Sequence, residues 1–472
     1  RAKQHLLGAR PFFKCPELPT LRHTRARFDA SSQRPPTPPF DPLQSIFASR
    51  RVDTDGQSLY AVETAFLRNL DLDWRRITKK TTFRKLELVA HAAWMRLRAQ
   101  QACLTAIWGG AGRSGFGQHI QLSCKTWGSD SFDAYLGQIK EGLRKWYEGL
   151  CRIFVFYCMA GSTMGEKAFQ MSLNQFSAFA KDARIPVEGS RHCRQSDLDT
   201  MFISTNYEEE KGTIESETND DRSLMRFEFV EIVVRMALAK YVKNAEVPEL
   251  HLAVERLCEE TSASMPSEAL LDTNEFRRTR LYVEAMHHTV STNFELLEAL
   301  YIYYKARSGS KQLRQEDFFQ MVTALQLVGS ELLSKREVKL AFVWSQLPVV
   351  DEINNLRRFT TLTLFDFIEA LARMTDVLCP PTEEEITAYA GDEMTASSTT
   401  AALRDYYRRV AAGEPDRLRR LSRGFSTPNT RPLVSKFGAL VQLLQAHAMG
   451  MTNSDNMRDA VKRLLALAKE GF

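Results

Sequence analysis

The sequence lacks a long apolar run and a paired cysteine motif. Its longest uninterrupted apolar stretch, Ile153 to Gly161, is far shorter than the roughly 20 residues that a membrane-spanning helix needs. The eight cysteines include no CxxC pair, and Cys151 and Cys158 lie seven positions apart on one helix face, where a disulfide is sterically unfavourable. These absences predict a soluble protein without a membrane partner, whose cysteines are free thiols in a reducing compartment.

Motifs of catalysis are also missing. No GxSxG, HExxH or cysteine–histidine arrangement occurs, and the adjacent His287 and His288 point to different faces of a helix. Residues Gly110 to Gly115 match the GxGxxG dinucleotide fingerprint, but a helical pattern precedes them where a strand is required. No Gly-Lys-Ser/Thr follows, as a phosphate loop needs. We therefore expect a non-catalytic protein without a nucleotide cofactor.

Charge is distributed unevenly within a net charge of +5. Residues 1–51 carry +7 and residues 401–472 carry +7, so residues 52–400 carry −9. Basic ends on an acidic body indicate either solvated termini or attachment to an anionic partner, such as nucleic acid, a membrane surface or the acidic face of a polymer like tubulin. No RNA-binding signature accompanies the basic ends, so a nucleic-acid partner is not expected.

Proline is concentrated at the start of the chain. Residues 1–50 contain eight of the 17 prolines. Because proline fixes φ and removes a backbone donor, this stretch is predicted to be non-helical and extended, near polyproline II. Its phenylalanines suit an arm that lies in grooves on a partner, and a free tail is the alternative. They are Phe12, Phe13, Phe28, Phe40 and Phe47.

The centre of the chain contains a faint duplication. The segment Phe227–Met236 (FEFVEIVVRM) reappears 138 positions later as Phe365–Met374 (FDFIEALARM). Further anchors repeat in the same order, and their spacing drifts as expected when helices are kept and loops change length. The anchor pairs are Ile153 with Leu300, Phe176 with Phe318, and Leu198 with Val338. The sequence therefore predicts two copies of a four-helix unit.

Apolar periodicity predicts a mainly α fold in six parts. These are an extended Pro-rich arm (1–57), a helical segment with a Gly-rich loop (58–137), the first repeat (138–245), a helical connector (246–289), the second repeat (290–378) and a basic helical C-terminal region (379–472). Individual helices are predicted outside the repeats as well. They span Leu59–Leu70, Phe83–Ile107, Leu250–Glu260, Leu433–Met449 and Met457–Lys469.

Each repeat resembles a paired EF-hand, that is, one calmodulin-like lobe. In such a pair, an apolar residue of each loop pairs with its twin as a tiny sheet. A polar or acidic residue four positions later precedes an apolar exiting helix. These two roles fall to Met171 and Gln175, Leu224 and Glu228, Leu313 and Asp317, and Leu362 and Asp366. The resemblance implies two tandem degenerate EF-hand-pair lobes.

The segments Met171–Ile185 and Phe365–Met374 are similar to degenerate EF-hand proteins of ciliary and flagellar axonemes, such as radial-spoke and doublet-microtubule-associated proteins. The resemblance covers roughly 200 of the 472 residues. It implies a location in the cytoplasm, the cytoskeleton and the axoneme of a cilium or flagellum.

Calcium binding is tested by the ligand positions of a twelve-residue loop, which carries a carboxylate at its last position. Three of the four loops lack the oxygen ligands, because residues such as Met164 and Ala306 stand at the first position. The remaining loop offers four ligands: Glu217, Asn219, Asp221 and Glu228. However, Arg222 replaces the turn glycine, and the loop is too long. We expect no cofactor, with calcium at this loop as the alternative.

The resemblance implies a non-catalytic structural adaptor of the ciliary or flagellar axoneme. Its EF-hand-like lobes would hold helices of axonemal proteins in their grooves without calcium. Its basic, extended arm would attach to tubulin or a microtubule-bound complex. The alternative function is that of a calcium-binding regulatory protein with a single site in residues 206–228.

Overall fold

Helices dominate the part of the chain that the computed structural model describes. This part comprises residues 40–50, 62–85, 129–161, 163–207, 222–247, 249–328, 333–378 and 431–470, with residues 380, 381, 384, 406 and 425. By internal contacts the chain divides into a unit Arg1–Phe40 and a unit Asp41–Phe472, and the account below concerns the second. The prediction of a mainly α fold is confirmed.

Sixteen helices are distinguished here, in chain order. They are α1 (Glu63–Lys79), α2 (Ser129–Arg144), α3 (Tyr147–Cys158), α4 (Leu173–Asp182), α5 (Gln195–Thr205), α6 (Arg226–Ala237), α7 (Leu250–Ser264), α8 (Thr273–Phe276), α9 (Glu284–Thr292), α10 (Phe294–Ala306), α11 (Gln315–Ala324), α12 (Lys335–Ser345), α13 (Leu356–Thr360), α14 (Leu364–Leu378), α15 (Leu433–Thr452) and α16 (Met457–Glu470). A π-helical turn extends α6 through Leu238–Val242, and another follows α8 at Arg277–Leu281.

Four two-residue strands form two small antiparallel sheets. They are β1 (Met171–Ser172), β2 (Ser223–Leu224), β3 (Leu313–Arg314) and β4 (Thr361–Leu362). Met171 lies opposite Leu224, and Leu313 lies opposite Leu362. These are the residue pairs that the sequence predicted. Each pairing ties together the two halves of one repeat.

A side chain caps the helix that follows each strand. The capping residue lies four positions after Met171, Leu224, Leu313 or Leu362. It accepts a hydrogen bond from the backbone N–H three positions before it, which satisfies a donor at the helix N-terminus. The acceptor oxygens lie 2.6 Å from Ser172 N (Gln175), 3.0 Å from Met225 N (Glu228), 3.4 Å from Arg314 N (Asp317) and 2.9 Å from Thr363 N (Asp366).

The core of each repeat is its last helix. Every residue of α6 is buried, and α14 is buried continuously from Asp366 to Thr375. A helix that is buried on all sides lies at the centre of its unit. Phe229 of α6 packs with ring centroids 5.4 Å from Phe154 and 5.1 Å from Phe179. These contacts fix the position of the carboxylates on the same helix.

The faces of both repeats are covered by helices of the same chain. In the first repeat, α7 packs against α6 and α2. In the second, α15 packs against α14 and α9, and α16 packs along α10. The Tyr304 hydroxyl lies 2.9 Å from Nε2 of His447, which connects α10 to α15. Each repeat thus packs against helices that lie outside its own predicted bounds.

The start of the described chain differs from its prediction. Residues 42–49 were expected to be extended, but they form two 3₁₀ turns, Pro42–Gln44 and Ile46–Ser49. Proline is tolerated at the first position of such a turn, where its missing donor is not needed. The Asp41 carboxylate accepts from Leu43 N at 2.9 Å, and the Ser45 hydroxyl accepts from Phe47 N at 3.2 Å. The expectation of an extended backbone was wrong for these seven residues and right for Ser45, which lies between the two turns.

Other predicted segments have mixed outcomes. The helices predicted over Leu250–Glu260, Leu433–Met449 and Met457–Lys469 are present as α7, α15 and α16 with slightly later ends. The proline-rich residues before Phe40, the Gly110–Gly115 loop and most of the helix predicted over Phe83–Ile107 lie outside the described residues. Within the described ranges, none of the helices is long and apolar enough to cross a membrane.

Candidate functional site

A pair of buried carboxylates stands at the start of each central helix. Glu228 and Glu231 on α6 form the first cluster, and Asp366 and Glu369 on α14 form the second, 138 positions later. Three of these residues are 0% exposed, and Asp366 is 8% exposed. Because burying an unpaired carboxylate costs several kcal/mol, each cluster must contain a cation or a proton.

Lysine provides the cation of the first cluster. Lys80 directly follows α1, outside the repeat, and its side chain is 13% exposed. Its Nζ lies 3.2 Å from Oε1 of Glu228 and 3.1 Å from Oε2 of Glu231. It also donates to the backbone carbonyl of Thr205, the last residue of α5, at 2.8 Å. One ammonium group therefore joins both central carboxylates to the end of the preceding helix.

The charge balance of the first cluster affects the protonation of Glu228. Arg235, one turn beyond Glu231, binds the other side of that carboxylate with Nη2 2.6 Å from Oε1. Burial raises the pKa of the Glu228 carboxyl to about 7, although the Lys80 ammonium and the Met225 N–H act in the opposite direction. Glu228 is therefore close to its titration point at neutral pH.

Arginine provides the cation of the second cluster. Arg50 follows the second 3₁₀ turn and is itself buried. Its guanidinium lies 2.8 Å from Oδ1 of Asp366, forms an ion pair with Glu369 and donates to the carbonyl of Ser345. It also donates to the Tyr282 hydroxyl at 3.0 Å. Ser345 is the last residue of α12, as Thr205 is of α5.

Two further guanidinium groups enclose Glu369. Arg277 Nε lies 3.0 Å from Oε2 of Glu369, and Arg373 Nη2 lies 2.7 Å from Oε1. Burial by itself would raise the pKa of Glu369, but Arg277, Arg50 and Arg373 together lower it to about 2. This carboxylate is therefore ionised throughout the physiological pH range, in contrast to Glu228.

The two clusters have the same plan. Each has a carboxylate that caps the central helix, a second carboxylate one turn later, and an arginine four residues after that (Arg235 or Arg373). Each receives one cation from the N-terminal part of the chain, in crossed order. Arg50 comes first in the sequence but reaches the second repeat, whereas Lys80 reaches the first.

Helix α1 lies in contact with both repeats. Its Asp73 binds Arg226 at 2.9 Å and accepts from the Tyr147 hydroxyl at 2.6 Å, both in the first repeat. Its Asn69 donates to the carbonyl of Val349 at 2.9 Å, in the second repeat. The repeats thus share one N-terminal connection, and Lys80 of the first cluster directly follows it.

The predicted calcium ligands do not come together as a described site. Glu217, Asn219 and Asp221 lie outside the described residues. Glu228 lies inside them, and its carboxylate is engaged by Lys80 and by the backbone of Met225. Over the residues that the structure covers, no group of three or more His, Cys, Asp and Glu side chains is placed to share a metal ion.

Other residues that the sequence analysis considered have structural roles. Nδ1 of His287 accepts from Ile46 N at 3.3 Å, which attaches the second 3₁₀ turn to α9. Cys151 and Cys158 are buried free thiols. Burial raises the pKa of Cys151 to about 12, so its reactive thiolate form is scarce at neutral pH.

Sequence reasoning missed both cations of the clusters. Arg50 entered only as one of the basic residues within 1–51, and Lys80 entered no prediction. A signal was present: an acidic residue followed four positions later by arginine recurs inside both apolar segments, at Glu231 and Glu369. Such an acid, surrounded by core residues, requires a buried cation. The sequence does not show which residue provides that cation, because the cation lies far along the chain from the acid.

Comparison of the chain with protein-family models, curated proteins and solved structures finds no match. The functional interpretation of the two clusters therefore depends on their own geometry and chemistry.

Proposed function

We propose that this protein is a non-catalytic structural adaptor whose two repeats are degenerate EF-hand pairs that work without calcium. The observation that carries this proposal is the basic side chain in each carboxylate cluster. Lys80 and Arg50 occupy equivalent positions, and each binds the carboxylate that caps a central helix. The paired two-residue strands and the helix order support the EF-hand comparison.

A fixed cation explains how such a unit can be stable without metal. In a working EF-hand, a bidentate carboxylate at the last loop position binds calcium, and the helix pair opens when the ion enters. Glu228 and Asp366 are the corresponding carboxylates in the comparison, and each already binds a cation that belongs to the chain. Because Lys80 and Arg50 are covalently attached, the two repeats are expected to stay in one conformation.

A rigid unit of this kind suits an adaptor. Its apolar faces are covered by α7 in the first repeat and by α15 and α16 in the second. Partners are therefore expected on the remaining surface and along the basic ends, rather than in the lobe grooves. We place the adaptor in the axoneme of a cilium or flagellum, attached to axonemal proteins or a microtubule-bound complex, on the basis of the sequence resemblance.

Calcium independence is tested by thermal unfolding of the full chain in calcium and in chelator. We expect the same midpoint in both, and no binding heat on titration with calcium. A control is Lys80→Met, which removes the fixed cation. A calcium-dependent heat signal in the unmodified chain that is lost in Glu228→Gln would instead support the regulatory protein with a site in residues 206–228.

The cellular proposal is tested by following the tagged protein in a flagellated cell. After detergent extraction, we expect it to stay with the flagellar skeleton. Release by high salt would then indicate that the basic ends hold it there. Loss into the detergent-soluble fraction would contradict the axonemal adaptor, whatever the calcium experiment gives.

A further inference from the structure

A polar cleft of about 530 Å³ opens where the two repeats meet. The loop before β1 forms one wall, and residues around β3 and β4 form the other. Its volume is within the range of sites that bind ligands or peptide segments. The two carboxylate clusters described above do not line it, so it is a separate feature of the molecule.

The described lining of this cleft is predominantly basic. Lys167, Arg314 and Arg357 contribute three positive charges, and Glu316 contributes the one negative charge. The Arg357 side chain is exposed and makes no hydrogen bond or ion pair within the described residues. Arg314 has a 47% exposed side chain, and its Nε lies 3.4 Å from Oδ2 of Asp317 in the same turn. An excess of positive charge in a concave surface attracts anionic groups.

The cleft is held open by contacts between the repeats. Lys339 of α12 donates to the carbonyls of Thr163 (2.9 Å) and Gly161 in the loop that forms the first wall. Gly165 in this loop donates its N–H to Gln315 Oε1 at 3.2 Å. Gly165 has φ of 74°, and a Cβ there would collide with the Glu316 carboxylate. A preformed site needs no ordering on binding, which favours affinity.

Glu316 shows what else a ligand must supply. Its Oε2 is a buried atom without a hydrogen-bond partner among the described residues. A carboxylate is costly to leave unpaired, and as part of the cleft lining that of Glu316 suits an N–H donor from the ligand. Phosphate oxygens accept but do not donate, so a nucleic-acid backbone would meet repulsion at this carboxylate. A peptide main chain offers N–H groups together with acidic side chains.

We propose that the cleft between the repeats binds an extended acidic segment of a partner protein. Carboxylates of the segment pair with Arg314 and Arg357, and a backbone N–H donates to the carboxylate of Glu316. An acidic segment is a class of partner for the adaptor proposed above, and to that extent the inference rests on the proposed function. It does not depend on the state of the carboxylate clusters.

Binding is tested with the full chain and a fluorescein-labelled octaglutamate peptide by fluorescence anisotropy, with octaglutamine as the neutral comparison. We expect octaglutamate to bind and Arg314→Ala or Arg357→Ala each to raise its Kd by about fivefold to tenfold. The matched control is Arg194→Ala. Arg194 has the same backbone conformation as Arg314 and the same ion pair three residues on, with Asp197, but it does not line the cleft.

The proposal is overturned if the control and the two cleft variants bind octaglutamate with the same Kd, or if the unmodified protein does not bind octaglutamate. A single-stranded oligonucleotide that binds more tightly than octaglutamate and is weakened by the same variants would also overturn it in favour of nucleic acid. Thermal unfolding of each variant separates loss of binding from loss of fold. Because calcium independence is measured separately, its failure and the failure of peptide binding are distinguishable.

Discussion

At the scale of single residues, the carboxylate of Glu369 is shared by Arg50, Arg277 and Arg373 in a site from which water is excluded. The strongly lowered pKa of Glu369 means that the ionised form stabilises the fold. This stabilisation is present above the pKa of about 4.5 that an unfolded glutamate has, and it is lost as pH falls toward 2. Removing the Glu369 carboxylate leaves three buried guanidinium groups with too little negative charge to balance them.

We predict that Glu369→Gln lowers the free energy of unfolding by about 3 to 5 kcal/mol at neutral pH, because breaking a buried ion pair leaves uncompensated charge. Urea unfolding followed by circular dichroism measures the change. The control is Glu298→Gln on the exposed face of α10, expected within about 0.5 kcal/mol of the unmodified protein. A similar small effect at Glu369 would show that the cluster contributes little to stability.

Glu228 gives the opposite pH dependence. Its pKa of about 7 exceeds the value of 4.5 expected when unfolded, so the folded state retains a proton that the unfolded state releases. The contribution of this group is therefore fully present below pH about 4.5 and is lost as pH rises through about 7. The change over that window is up to about 3 kcal/mol.

We predict that the stability advantage of the unmodified protein over Glu228→Gln decreases as pH rises from about 5 to 7.5, since glutamine cannot ionise. Urea unfolding of both proteins at several pH values provides the comparison. Parallel stability curves across this range would contradict a titrating Glu228. Glu298→Gln again serves as the control, and its curve is expected to run parallel to that of the unmodified protein.

At the scale of elements, α15 closes the second repeat. Phe437 and Leu444 of this helix are 0% exposed, and Lys436 reaches back to Asp376 with Nζ 2.9 Å from Oδ1. Because twelve of the fifteen residues of α14 are buried, removing its cover would expose core surface to water. Helix α15 is therefore part of the structural unit to which the second repeat belongs.

We predict that Phe437→Ala lowers the free energy of unfolding by about 3 to 5 kcal/mol, through lost burial and the cavity left behind. The matched control is Leu467→Ala on α16, where the side chain is 37% exposed and the expected cost is below about 1 kcal/mol. Chemical denaturation measures both. Equal effects at the two positions would show that α15 is not packed as described.

At the scale of the whole molecule, the repeats are joined by more than chain connectivity. Arg226 of the first repeat forms an ion pair with Glu352 of the second, and the Phe169 and Phe359 rings lie 4.8 Å apart. Helix α1 and Lys339 add contacts to this joint. Dense contacts across the joint favour unfolding of both repeats as one cooperative unit.

We predict that amides of α6 and α14 exchange with deuterium through the same global opening, with free energies within about 1 kcal/mol of each other. Hydrogen exchange with peptide-level mass spectrometry reads the two helices separately. Lys339→Met is expected to separate the two values, because it removes the bonds to the Gly161 and Thr163 carbonyls. Different opening energies in the unmodified protein would mean that the repeats unfold independently.

The local elements follow from short-range patterns in the sequence. Apolar periodicity predicted helices at Leu250, Leu433 and Met457, and the resemblance to a paired EF-hand predicted that Met171 pairs with Leu224 and Leu313 with Leu362. These features depend on residues close together or on an internal repeat, so their pattern is visible along the chain. The 3₁₀ turns at residues 42–49 escaped prediction because the capping side chains of Asp41 and Ser45 outweigh the extended preference of the prolines around them.

Which charged groups meet depends on how distant parts of the chain pack together. Arg50 and Asp366 are 316 positions apart, and Lys80 and Glu228 are 148 apart. Many basic residues in the chain could neutralise a buried carboxylate, and an ion pair has no sequence periodicity to reveal its partner. The basic cleft could not be predicted from the sequence for the same reason, because its Lys167 and Arg357 come from different repeats. Local propensity specifies a helix, whereas the choice of a charged partner is made only when the helices pack.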